Sequence, residues 1–322
     1  MKILFNTYTM AFQHPGGGEI VMLKLKEYLE KLGHEVKLFD KWNDKIEDYD
    51  VIHEFSLLEW EIWKDYKELG KPLVLTPTAW PRIDFKTKLK IKIKKQLSSH
   101  NLASFLNYPD IILPTTSIEK ERLEELYALS DKRFQVLYNG IDRVQFDDLS
   151  FNLSDYLLYV GSIAKNKNLL KAIEIANSTG NKLIIVGAAK PGHEDYYREC
   201  KKFESQNIIF YGPLKQGSQE LYRLYKNAKC LLVLSEFETC SLVSMEAGSV
   251  GTPVILTKFG GTKEVFRDFV NYVDPDNHAE IVEALSHLKS GQHLKAYIEE
   301  NYYWENIAKK LERIYQDLLD KN

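Results

Sequence analysis

The chain has 322 residues, 43 of them basic and 46 acidic, for a formal net charge of −3. That balance gives no charge-based case for nucleic acid, the length suits two ordinary domains, and no apolar run approaches the roughly 18 residues of a membrane-spanning helix. Cys200, Cys230 and Cys240 lack paired spacing, so no disulfide or zinc site is expected and a reducing cytoplasm suits them, while a start that runs straight into a strand points to a protein that is soluble or at most peripheral at the inner membrane face.

In chain order, an apolar strand is predicted at 2–5 and a helix at 19–32, with Val21, Leu25, Leu29 and Leu32 on one face. Between them lies Gly16-Gly17-Gly18, followed by Glu19. The glycines are contiguous, which fits neither the spaced dinucleotide fingerprint nor a P-loop. They read either as a tight loop needing positive φ or as a backbone that closes on a ligand. Strands follow at 35–39, 50–55 and 73–76. His53 lies on the third strand, where a histidine is more often packed than catalytic. Residues 86–97, KTKLKIKIKKQL, place Leu89, Ile93 and Leu97 in a narrow helical stripe. Lys88, Lys90, Lys92, Lys94 and Lys95 flank it. That pattern fits a solvated surface helix or one lying on an anionic membrane face or a phosphate-bearing acceptor. A strand at 110–114, a helix at 119–126 capped by Ser117 and an Asn139-Gly140 turn close the first half.

Residues 143–155 are polar and read as a linker. Beyond them, strands are predicted at 156–161, 182–187, 207–212, 230–234, 254–256 and 272–275, with a helix at 169–176 after the first. This alternation implies parallel α/β architecture. Asp274-Pro275-Asp276 has the letters of a metal motif, but two aspartates just before a helix read more simply as a cap. Helices are expected at 279–288, 294–300 and 303–319, the last carrying Trp304, Ile307, Leu311, Ile314 and Leu318 at helical spacing.

The central stretch is SEFETCSLVSMEAGSVGTPV, residues 235–254. It reads as strand, acidic loop, helix from Ser241, then a stop at Gly251 and Pro253. Glu238 lies before the helix and Glu246 lies five residues past Ser241, roughly 7–8 Å along the axis. A helix N-terminus between two carboxylates suits a ligand with hydroxyls, a diphosphate and a ribose, because free N–H groups take the phosphates and each carboxylate takes hydroxyls. A carboxylate can accept two hydrogen bonds from a vicinal diol, which is the contact expected of Glu246 with the ribose.

This segment, with Glu246-Ala247-Gly248-Ser249-Val250-Gly251-Thr252-Pro253-Val254 and the later Gly260-Gly261 turn, resembles the donor signature of retaining nucleotide-sugar glycosyltransferases, family four (group 1). The family often has Gly-Phe-Gly-Leu where this chain has Thr239-Cys240-Ser241-Leu242. The resemblance spans nearly the whole chain. It implies the GT-B fold: two Rossmann-like doubly wound α/β domains facing an interdomain cleft. The acceptor domain would span 1–145, the donor domain 155–302, and a final helix, 303–322, would pack back on the first domain.

It also implies roles. Glu238 and Lys167 are the expected catalytic pair, with Lys167 matching the family lysine that neutralises the donor diphosphate. Donor contacts fall to Glu246, Ser241, Leu242, Cys240, Gly17, Gly18, Gly161, Ser162, Lys190 and Gly212. Ser162 stands where many relatives carry arginine. Gly16, Thr78 and Trp80 fall on the acceptor side, with Thr78 where many relatives carry histidine. The substrates would be a nucleotide diphosphate sugar and a glycan or glycolipid acceptor, with no cofactor, no metal and no nucleic acid. Departure of the nucleotide from the face that the acceptor attacks would leave the configuration retained, with the acceptor proton passing to the leaving phosphate. The rival readings on the same fold are a sugar-nucleotide epimerase, a phosphorylase-like enzyme and a nucleotide-sugar-binding subunit without activity.

Overall fold

A computed structural model describes residues 1–13, 16–77, 102–127, 129, 133–146, 148–150, 152 and 154–321. The chain divides into two compact units, one made of residues 1–140 with 304–322 and the other of 141–303.

The first unit is built on five parallel strands in the order β2-β1-β3-β4-β5. They are β1 (Lys2–Asn6), β2 (Glu35–Leu38), β3 (Val51–Glu54), β4 (Leu73–Leu75) and β5 (Ile111–Ile112). Ile3, Leu4, Val51, Ile52, Leu73 and Leu75 are fully buried, as strands covered on both faces require. Helix α1 (Gly17–Lys31) buries Val21, Met22, Leu25, Tyr28 and Leu29. The described helices α2 (Trp63–Glu68), α3 (Leu102–Phe105) and α4 (Ser117–Tyr127) complete this half.

The second unit holds six parallel strands in the order β11-β10-β9-β6-β7-β8. They are β6 (Tyr156–Val160), β7 (Leu183–Val186), β8 (Ile208–Gly212), β9 (Ala228–Val233), β10 (Val254–Thr257) and β11 (Asn271–Val273). Read from the other side, this is the order of a dinucleotide-binding sheet, and its connections part company between β6 and β9. The helices are α5 (Leu169–Thr179), α6 (Glu194–Lys201), α7 (Gln219–Asn227), α8 (Leu242–Ser249), α9 (Thr262–Phe266), α10 (His278–Ser286) and α11 (Gly291–Asn301). The last helix, α12 (Trp304–Leu319), belongs to the first unit, where His34 Nε2 meets Glu312 Oε1 at 2.8 Å.

Several expectations need revision. Gly17 and Gly18 open α1 instead of forming a loop, and Gly16 is its N-cap with φ −113°, so no positive φ is needed there. Glu19 takes the place of a capping side chain: its carboxylate accepts from Gly16 N at 2.7 Å. The polar stretch read as a linker is docked on the second unit. Asn227 Nδ2 donates to Leu149 O at 2.7 Å, and Gln219 Nε2 to Asp148 O at 3.0 Å. The crossing of units therefore comes at Gly140, where a Cβ would lie 2.7 Å from the Trp304 ring. The cap of α10 is Asn277, accepting from Glu280 N at 3.2 Å, while Asp274 pairs with Lys258 at 3.1 Å.

Candidate functional site

The site grows from the point where the β6 and β9 connections diverge. At the carboxyl edge of the sheet, three glycines lie side by side. Gly161 N donates to Val186 O at 3.0 Å, and Gly187 N donates to Gly212 O at 3.0 Å. Gly187 is required by space: a Cβ there would sit 1.9 Å from Gly161 O. The result is an edge of backbone without side chains, the kind of surface that lets a ligand approach closely.

After β6 the chain runs through Ser162 and a single short turn, residues 165–167, to Asn168, which takes the left-handed conformation at φ 52°. Asn168 Nδ2 donates to Leu234 O at 2.9 Å, and Glu236 N donates to Asn166 O at 2.9 Å. These bonds fasten the β6 loop to the β9 loop and bring Lys167 to Glu238. Lys167 Nζ lies 2.7 Å from Glu238 Oε1, and Ser235 Oγ donates to the same oxygen at 2.7 Å. The main chain of Glu238 is pinned separately, its N donating to Phe259 O at 3.1 Å and its O accepting from Gly261 N at 3.0 Å.

Helix α8 begins just beyond. Its N-cap, Ser241, is buried with φ 50°, and its hydroxyl shares a 2.7 Å hydrogen bond with the Ser244 hydroxyl. Ser244 N already donates to Ser241 O at 3.1 Å, so it is the Leu242 and Val243 N–H groups that stand at the positive end of the helix dipole. One turn further, Glu246 is 4% exposed. Its Oε1 accepts from Gln216 Nε2 at 2.6 Å and its Oε2 from the Tyr225 hydroxyl at 3.0 Å. Burial pushes its carboxyl up to about 7; the bonds from Gln216 and Tyr225 pull it down and Asp142 adds a smaller upward push.

A sequence profile described as Glycosyl transferases group 1 matches residues 142–317, more than half of the chain. The chain belongs to that family. An uncharacterised glycosyltransferase of Methanocaldococcus jannaschii is 27% identical over 227 residues, 61% of this chain and 57% of its own length. Glycogen synthase of Thermus thermophilus is 28% identical over 173 residues, 51% of this chain and 39% of its own length. The chain thus matches less than two thirds of these relatives' length. Among solved structures, sucrose-phosphate synthase from Thermosynechococcus elongatus superposes with a TM-score of 0.78 at 16% identity, covering 100% of both chains. HepE of Anabaena, solved with UDP, gives 0.77 at 14% identity over 98% of this chain and 100% of that one; it has also been solved with UDP-glucose. These likenesses identify the fold as GT-B, made of two parallel-sheet α/β domains.

Within this family framework the predicted residues fall into groups. Glu238, Lys167, Ser241, Leu242, Cys240, Gly161, Ser162 and Gly212 lie on the β6, β8 and β9 connections at one edge of the second sheet. Lys190 lies on the neighbouring β7 connection, where its N donates to Ile163 O at 3.1 Å. Cys240 is buried, 3% exposed, so its side chain faces protein. Gly16, Gly17 and Gly18 are in the first unit, at the start of α1. Thr78, Trp80 and the five lysines Lys88, Lys90, Lys92, Lys94 and Lys95 lie outside the described residues. His53 is a packed residue: its ring stacks on Phe55, its nitrogens meet Tyr315 Oη at 2.6 Å and Thr76 Oγ1 at 2.8 Å, and burial lowers its pKa to about 3. Gln216 and Tyr225 were not singled out by sequence. They lie 30 and 21 residues from Glu246, and only a fold that sets the β8 loop and α7 against α8 brings them together.

Proposed function

We propose that this chain transfers a sugar from a nucleoside diphosphate sugar to an acceptor hydroxyl, with net retention of configuration and without a bound metal or cofactor. The observation that carries the reading is the Lys167–Glu238 contact of 2.7 Å at the divergence of β6 and β9, beside the start of α8. A cation beside a helix N-terminus is chemistry suited to a departing diphosphate, and a neighbouring carboxylate is suited to sugar hydroxyls, which supports the reading. Family membership and the UDP and UDP-glucose held by a protein of the same fold support the same donor class.

In this reading the diphosphate competes with Glu238 for Lys167. The ammonium then stabilises the departing phosphate charge, and the freed carboxylate accepts from the sugar. The leaving phosphate takes the proton of the acceptor hydroxyl, so none of the chain's own groups has to be the base. Glu246 accepts from the ribose. The acceptor is a glycan or glycolipid in surface-glycan assembly, and the lysine-rich stretch 86–97 meets an anionic membrane face. The protein works in the cytoplasm or at the inner membrane face.

The test is a thermal-shift screen of UDP, GDP, ADP and TDP sugars, followed by assignment of the product anomer by NMR. One donor should raise the melting temperature and give a product with the donor's configuration. Inversion would remove the retaining mechanism, and a set of donors that all fail to bind would remove the function. Sedimentation with anionic and neutral vesicles tests the membrane contact, which equal binding to both would refute.

A further inference from the structure

The first sheet has a divergence of its own. From β1 the chain passes through α1 to β2 on one side, and from β3 it passes through α2 to β4 on the other. Open α/β sheets take ligands beyond the carboxyl ends of the strands that flank such a point. Here those ends are Asn6 and Glu54, paired across β1 and β3. The segments that leave them, 7–13 and 55–62, are clasped together: Thr9 N and Oγ1 both donate to Glu59 Oε2, at 3.0 and 2.8 Å. Glu59 makes this contact from the left-handed conformation, φ 53°, which a residue with a Cβ adopts at a cost.

The clasped segments are apolar where they meet solvent. Met10, next to Thr9, is 62% exposed; Leu58, next to Glu59, is 55% exposed; Phe12 is 40% exposed. These are three of the eight large apolar side chains exposed among the described residues, and the other five fall on five separate parts of the chain. At the end of β1 the Asn6 amide is fixed, donating to Glu54 Oε1 at 2.7 Å and to Tyr66 Oη at 3.1 Å. An apolar rim with a few fixed polar groups is the make-up of a small-molecule site. Charge narrows the occupant. Residues 7–13 and 55–62 include no lysine, arginine or histidine, while Glu59 and Glu61 are exposed acids. A lipid phosphate or an anionic bilayer would meet only like charge on these segments, and a neutral apolar group meets no such penalty.

We propose that the divergence point of the first sheet is an aglycone subsite: Met10, Phe12 and Leu58, held in place by the Thr9–Glu59 clasp, take a neutral alkyl or aryl group that the acceptor carries beside its sugar. The inference rests on the acceptor reading of the first unit. It narrows that reading from any glycan or glycolipid to one whose sugar is joined to an apolar group without a phosphate between them. Glu59 acts as a positioning residue, through Thr9.

The experiment is calorimetric titration of the full chain with methyl and octyl glycosides of glucose, galactose and mannose, the octyl forms kept below their micelle concentrations. Each octyl form should bind about tenfold more tightly than its methyl partner, the gain from burying about two methylene groups. Met10→Ser combined with Leu58→Ser should reduce that ratio to about twofold. Leu69→Ser, exposed at the end of α2 and outside both segments, should keep the wild-type ratio. Glu59→Gly removes the carboxylate while glycine holds the same φ without strain, so it should fold and lose the octyl preference. Glu59→Gln retains an acceptor oxygen for Thr9 and should restore most of it. Melting temperatures check the folding of every variant. The inference is overturned if octyl and methyl forms bind alike, if Leu69→Ser abolishes the preference as fully as the double variant, or if octyl phosphate binds as tightly as octyl glucoside. It is also overturned if the double variant keeps the ratio and loses only vesicle binding or self-association, which would make the patch a membrane contact or an interface between copies. Failure of the acceptor reading has a different signature: the octyl preference depends on Met10 and Leu58 as stated, yet no octyl glycoside receives sugar from the donor found by thermal shift. The apolar site would then stand and its part in transfer would fall.

Discussion

Replacing Gly260 by alanine tests how the carboxylate of the Lys167–Glu238 pair is held in place. Gly260 has φ +115°, and a Cβ there would lie 1.8 Å from Glu238 O, 2.9 Å from its carbonyl carbon and 3.1 Å from its N. Real Cβ contacts stay beyond 3.0 Å, so the backbone of Glu238 must retreat by more than an ångström. That movement breaks the two bonds that pin it, Glu238 N to Phe259 O at 3.1 Å and Gly261 N to Glu238 O at 3.0 Å. Two lost hydrogen bonds at ~1 kcal/mol each, plus ~1–3 kcal/mol for an L-residue in this conformation, give a destabilisation of about 3–5 kcal/mol. The matched control is Gly180→Ala, where φ is +67° but nothing lies within 4 Å of the added carbon. It should cost only ~1 kcal/mol. Urea unfolding of both variants measures the difference, and initial transfer rates at saturating donor report whether Glu238 has moved. If Gly260→Ala is as stable as Gly180→Ala and turns over like wild type, the pinning of Glu238 is not what sets the site.

Other perturbations separate the remaining parts. Glu246→Ala should raise the donor KM, and Glu238→Ala should lower kcat by a factor on the order of 10² or more; normal transfer by both would refute the assigned roles. Glu54, Glu119 and Glu246 are buried, and burial holds each carboxyl up at about 7 against an ordinary 4.5. Folding therefore favours the protonated forms: their stabilisation is complete below about pH 4.5 and is lost as pH rises through 7, by up to ~3 kcal/mol for each group. The melting temperature should fall between pH 5 and 8, and a flat or rising profile would contradict this. Tyr315→Phe removes the hydroxyl that meets His53 at 2.6 Å and leaves a buried imidazole nitrogen without its partner, at a cost of ~1–3 kcal/mol in a denaturant titration. An unchanged midpoint would show that the bond contributes nothing.

The parallel sheets were legible because strands buried on both faces are written as short unbroken apolar runs. Leu157, Leu158, Leu183, Ile184, Ile185, Leu231, Leu232, Ile255 and Leu256 are such residues, and all are buried. Helices α6 and α7 were not legible. The eight residues of α6 bury only Tyr196 and Cys200, too few for an apolar stripe; α7 does carry one, Leu221, Tyr222, Leu224 and Tyr225, but it spans only nine residues and half of it is tyrosine, which is as much at home in a strand or loop. The order of residues places Glu238 before a helix and Glu246 within it, but nothing in it reports that Lys167 and Ser235 converge on one oxygen of Glu238. That Gln216 and Tyr225 divide the oxygens of Glu246 is equally absent from the letters. Those contacts depend on how loops from separate strands lie against one another, and side-chain periodicity carries no record of that. Ser241 shows the same limit: its position at the helix start is readable, its left-handed φ of 50° is not.

The return of α12 to the first unit fixes an order of events during synthesis. His53 and Tyr315 are 262 positions apart, and everything between Ile141 and Tyr303 belongs to the other unit. The half of the molecule made first is therefore the half completed last. As the nascent chain emerges, the second unit has all its strands in hand while β3 still waits for the helix that seals it, so ribosome-bound intermediates should protect residues 156–298 from protease earlier than residues 2–75.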